Sequence, residues 1–119
     1  MKLEVFTKKK GKESTIPCIV LRYMTIKLSK ALLEQMESPV WVEFAIDSEE
    51  KIIGIRKCDE SNPNKFKVSP SSQICCSYFC REIRKLIENQ KDNFTFQCDG
   101  EQDGYFIFDL KKGENRNGN

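Results

Sequence analysis

Residues 24–57, MTIKLSKALLEQMESPVWVEFAIDSEEKIIGIRK, set the terms on which the rest of the chain is read. Met24-Thr25-Ile26-Lys27-Leu28 is a short strand pattern, and Ser29 stands where a helix N-cap accepts a hydrogen bond from a free amide. Leu32, Leu33 and Met36 then place an apolar stripe on a short helix. Ser38-Pro39 stops it, because proline cannot continue the ladder and pushes the preceding residue out of helical space. Val40, Val42, Phe44 and Ile46 alternate with Trp41, Glu43, Ala45 and Asp47, the period of a strand with one buried face. A polar turn at residues 47–51 and a return strand from Ile52 to Arg56 complete a hairpin.

The same order returns over residues 73–110. Gln73 to Cys76 reads as a strand and Ser77 as the next cap, and Phe79, Ile83, Leu86 and Ile87 lie along one side of a longer helix. Asn89 to Asn93 ends that helix; Phe94 to Cys98, a turn from Asp99 to Gly104, and Tyr105 to Leu110 make a second hairpin. Between the two stretches, Cys58 to Ser72 carries Asn62-Pro63-Asn64 and Ser69-Pro70, which are turn signals, with Phe66 and Val68 suited to a short bridging strand. The expected fold class is therefore α+β: two strand-helix-hairpin units, residues 24–57 and 73–110, packed around a shared sheet or barrel with pseudo-twofold symmetry. Residues 1–112 form one domain in this reading, and residues 113–119, which lack an apolar anchor, form a disordered tail.

A chain of 119 residues is long enough for one core and too short for two of ordinary size. Twenty Lys and Arg against eighteen Asp and Glu leave no strong field of one sign, so local distribution decides where an anion would be met. Lys8, Lys9 and Lys10 form a basic edge near the amino terminus. The absence of histidine removes the side chain most used for proton transfer near neutral pH, and no phosphate-cradling glycine loop or nucleophile elbow is present. These features argue against an enzyme and call for no cofactor. Cys75, Cys76 and Cys80 cluster without the paired spacing of a zinc site, so no metal is expected and the six cysteines read as packed free thiols. No apolar run reaches the length of a signal peptide core or of a membrane span, which predicts a cytoplasmic protein that does not enter the membrane.

The runs TIKLSKALLEQM (25–36), WVEFAID (41–47) and IIGIR (52–56), with the terminal Phe108-Asp109-Leu110, resemble a family of small bacterial and phage proteins. The layout of strand, short helix and hairpin is also similar to the swapped-hairpin fold of the AbrB and MraZ transcription regulators and antitoxins. That resemblance implies paired units, across a homo-oligomer or within a tandem chain, that present basic residues to DNA. In this sequence the matching first-strand region offers Arg22 and Lys27, the second offers none near Gln73, and Arg56 ends a strand.

Aromatic rings stack on bases, and guanidinium and ammonium groups pair with phosphates. The candidate ligand- or nucleic-acid-binding residues are accordingly Lys8, Lys9, Lys10, Arg22, Lys27, Trp41, Arg56, Arg81 and Arg84, with Tyr23, Tyr78 and Tyr105 as further aromatic surfaces. The expected function is a non-enzymatic binding protein of phage or mobile-element type, an AbrB-like DNA-binding regulator. The alternative is a phage inhibitor of host defence that sequesters a nucleotide signal or a host protein. An enclosed pocket of aromatics and arginines favours the second reading, and an open basic face the first.

Overall fold

A computed structural model describes residues 16–116. Lys8, Lys9 and Lys10 lie outside the described residues, as do residues 117–119 of the expected tail. In chain order the elements are β1 (Cys18–Leu21), β2 (Thr25–Leu28), α1 (Lys30–Gln35), β3 (Trp41–Asp47), β4 (Ile52–Lys57), β5 (Phe66–Lys67), β6 (Gln73–Cys75), α2 (Ser77–Ile87), β7 (Phe94–Gln102), β8 (Tyr105–Asp109), a 3-10 turn (Leu110–Lys112) and β9 (Glu114–Asn115).

The strands form one antiparallel sheet in the order β5-β3-β4-β8-β7-β1-β2-β6, with β9 paired to β7. Its two ends are joined by the turn at residues 69–72. Val68 N–H donates to Val40 C=O, Ser69 N–H to Gln73 C=O, and Leu28 N–H to Ser72 C=O, so the sheet curls into a nearly closed barrel. Closure of this kind removes most of the free strand edge that would otherwise invite pairing with another chain.

This architecture corrects the α+β expectation. The helices are short, six residues in α1 and eleven in α2, and the chain is mostly β. The two strand-helix-hairpin stretches do not fold as units either, because β2 pairs with β1 and β6 and has no hydrogen-bonded contact with the hairpin that follows it. The element that dissolves them is β1, Cys18-Ile19-Val20-Leu21, which precedes the first expected unit and is inserted between β2 and β7. Glu114 and Asn115, within the stretch read as a tail, pair with Thr95 and Phe94.

Period-two alternation puts Ile19 and Leu21, Ile26 and Leu28, Ile53 and Ile55, and Phe106 and Phe108 inside the barrel, all buried. Leu32 and Met36 bring α1 onto this core, and Cys80 and Ile83 bring α2. Phe79 of α2 stacks on Phe44 with ring centroids 4.3 Å apart, and Phe66 tilts against Phe44 at 4.9 Å, which seats the helix against β3 and β5. Ser29 is the N-cap of α1 as its position implies: its Oγ accepts from Leu32 N–H at 3.1 Å and from Cys18 N–H at 3.0 Å. Ser77, by contrast, is the first residue of α2. The N-cap is Cys76, which makes no side-chain capping bond. The second hairpin turns at Asp103-Gly104, both with positive φ, and β7 reaches it through a bulge between Cys98 and Glu101. The six-residue turn read from the sequence is thus mostly strand.

Candidate nucleic-acid interface

Inward placement of Val42 and Phe44 on β3 forces Trp41, Glu43 and Ala45 onto the outer face. Register then assembles a row of side chains across four strands. Trp41 lies opposite Lys67 of β5, and Glu43 opposite Arg56 of β4. On the next strand, β8, Tyr105 lies close to Arg56. The Arg56 Cζ sits 4.3 Å from the centre of the Tyr105 ring, a cation–π stack.

Tyr105 can lie flat because Gly54 lies beneath it. A Cβ at Gly54 would meet the Tyr105 Cβ at 3.0 Å and the ring at 3.1–3.2 Å, so the close approach requires glycine. Arg56 is fixed from two further sides, with Nε donating to Glu43 Oε2 at 2.5 Å and Nη1 to the Asp103 C=O at 3.0 Å. Glu43 Oε1 in turn accepts from Asn62 Nδ2 at 3.2 Å. The hydrogen bond from Arg56 holds the Glu43 carboxyl below the usual carboxylate range, with Asn62 adding to the effect.

An open cleft of about 640 Å³ borders this network, lined by Glu43, Arg56, Lys57, Cys58, Asp59, Ser61, Asn62 and Pro63. Its two cations are engaged already, Arg56 by Glu43 and Lys57 by Glu37. Burial, with the Glu43 and Asp59 charges behind it, pushes the Cys58 thiol up, which leaves it a poor nucleophile at neutral pH.

At the other end of the row the cations are not paired with carboxylates. Lys65 Nζ lies 5.4 Å and Lys67 Nζ 6.0 Å from the centre of the half-buried Trp41 ring, and neither lysine forms an ion pair among the described residues. Two ammonium groups over an aromatic ring offer a nucleic-acid backbone two positive charges, and a base that takes their place over the ring finds a stacking surface. Lys65 and Lys67 were not among the sequence candidates. The signal that finds them is register: Lys67 is the cross-strand partner of Trp41, which is visible only once β5 is known to pair with β3.

The remaining candidates lie elsewhere. Arg22 is exposed in the turn between β1 and β2, and Lys27 Nζ donates to Ser71 C=O at 3.1 Å. Arg81 is exposed on α2. Arg84, only 2% exposed, donates to the backbone carbonyls of Asp92 at 2.8 Å, Arg22 at 3.0 Å and Asn89 at 3.4 Å, so its charge ties the loop after α2 to the β1–β2 turn. Tyr23 and Tyr78 are the most exposed of the large apolar side chains described, at 65% and 71%. Of the six candidates among the described residues, only Trp41 and Arg56 share this face. Among the described residues no group of Cys, Asp and Glu is arranged to hold a metal ion, and no helix is long and apolar enough to cross a membrane. Compared with protein-family models, with curated proteins and with solved structures, the chain matches none.

Proposed function

We propose that this protein binds nucleic acid without catalysing a reaction, as a DNA-contacting regulator in the cytoplasm, through the outer face of β3, β4 and β5. The observation that carries the reading is the Trp41 ring with the Lys65 and Lys67 ammonium groups beside it, on an open face. Phosphates are met by ammonium groups that need not first leave a carboxylate, and one base finds an aromatic surface. The sequestering alternative draws less support from the adjoining cleft. Both cations there already have a carboxylate beside them, Glu43 at Arg56 and Glu37 at Lys57, which sets negative charge next to any phosphate that enters.

Fluorescence anisotropy of a labelled random DNA duplex, titrated at several salt concentrations, tests the reading. The expected result is binding whose log affinity falls linearly with log salt, and which the double substitution Lys65→Glu, Lys67→Glu largely abolishes. No binding at low salt, or binding unchanged by that double substitution, overturns it.

A further inference from the structure

Cys76, Cys80 and Arg84 fall four residues apart along α2 and form one line of side chains, all buried. The Cys76 and Cys80 sulfurs are 3.7 Å apart. Ordinary packing explains two buried thiols, but it does not explain their company. Arg84 Nε is buried with no hydrogen-bond partner, so an unsatisfied donor and a full positive charge stand one helical turn from Cys80. The helix amino terminus adds positive potential from the other side.

We propose that Cys76 and Cys80 are a reversible redox pair that peroxide closes into an intrachain disulfide at the start of α2. The roles divide by environment. The hydrogen bond shared with Cys76, and after it the Arg84 charge, hold the Cys80 thiol below the ordinary cysteine range, whereas that shared bond and burial push Cys76 up. The buried Arg84 guanidinium, one helical turn beyond Cys80 and two beyond Cys76, favours the thiolate at Cys80, which makes Cys80 the attacking sulfur and Cys76 the resolving one.

The Cys80 thiolate attacks one oxygen of hydrogen peroxide, the O–O bond breaks, and the departing hydroxide takes up the proton that Cys80 released, giving water and a sulfenic acid. The Cys76 sulfur then attacks the Cys80 sulfur. The S–O bond breaks and hydroxide leaves with the Cys76 proton as a second water. Two thiols have lost two electrons and the peroxide has gained them, and a dithiol reductant reverses the change by exchange.

Closing the bond requires the sulfurs to move from 3.7 Å to about 2.05 Å. The first turn of α2 is able to make this movement. Cys76 has φ −149° and ψ 60°, outside helical values, and no side chain caps the amides that follow it. The residue is held by its N–H to Met24 C=O at 3.2 Å, its Sγ to Ile74 C=O at 3.4 Å and its own C=O, which accepts from Cys80 N–H at 2.9 Å, so the tightening falls on the first turn of the helix. Cys80 is fully buried, so peroxide reaches it when this uncapped first turn opens transiently.

The test uses the Cys75→Ser variant, since Cys75 is exposed and its replacement leaves the core alone. Six cysteines less Cys75 leave five. The protein is treated with a small excess of hydrogen peroxide, denatured, alkylated with N-ethylmaleimide and weighed intact, and the bond is located by fragmentation. The expected result is five adducts before oxidation, three after it, five again after dithiothreitol, and a link mapped between Cys76 and Cys80. A link between any other pair overturns the proposal, as does an unchanged adduct count or oxygen added without recovery by dithiothreitol.

Discussion

On the outer face of β3, β4 and β8, the Arg56 side chain is 39% exposed, stacked on Tyr105 and bonded to Glu43, while on α2 the Arg84 side chain is buried and bonded to three backbone carbonyls. The two regions use one side-chain type for different ends. A buried guanidinium has left water, so its worth rests on the carbonyls that its Nη1 and Nη2 reach and is reduced by the unpartnered Nε. A half-exposed one keeps most of its hydration and gains little from its partner beyond a fixed direction.

The contrast is sharpest in stability. Arg84→Met removes the donors from the carbonyls of Arg22, Asn89 and Asp92 and is expected to cost about 3 kcal/mol in urea unfolding, whereas Arg56→Met costs under about 1 kcal/mol. Equal losses in the two variants would break the comparison. On the sheet side, Trp41→Ala is expected to weaken DNA affinity by about tenfold, or about 1.4 kcal/mol, with the unfolding midpoint nearly unchanged. Affinity that holds while stability falls would return Trp41 to a packing role.

Smaller again is Gly54→Ala, whose new methyl would meet Tyr105 at 3.0 Å. The ring must shift from beneath Arg56, with an expected loss of about 1 kcal/mol read by urea unfolding and a changed tyrosine signal in near-UV circular dichroism. The smallest effect is in acid. Glu43 titrates below its ordinary value near 4.5 in the folded protein, so its contribution is present above that value and disappears as pH falls through the lowered one. Stability measured against pH is expected to decline less steeply there in Arg56→Met than in the parent protein. Identical slopes would show that the Glu43 to Arg56 bond contributes nothing to the fold.

Local elements were legible because each is written in a few adjacent residues. The alternation from Val40 to Asp47, the return strand from Ile52 to Arg56, the Ser29 cap and the Phe79-Ile83 stripe mark β3 and β4 to within a residue of their ends, and the two helices. Pairing was not legible. Cys18-Ile19-Val20-Leu21 is an apolar run too short to announce itself, and nothing in it says that its partners are residues 26–28 on one side and 94–97 on the other. Missing that strand turned one sheet into two units. The site was half legible for the same reason. Trp41 and Arg56 declare themselves by type, but Lys65 and Lys67 acquire meaning only from a two-residue strand whose partner lies 26 positions earlier, Lys67 against Trp41. Arg84 shows the converse, since its residue type suggested a ligand contact while its surroundings make it a clamp.

The place of β1 between β2 and β7 also governs the order in which the molecule can be made. Cys18 pairs with Gln97, so a chain leaving the ribosome carries β1 and β2 as a hairpin whose β1 side has no partner until β7 has emerged. Contacts of such long sequence separation slow the folding search, and the apolar faces of Ile19, Leu21, Ile26 and Leu28 stay uncovered for its duration. Until β7 is made, the β1 edge is therefore an unpaired apolar strand of the kind that invites pairing with another chain.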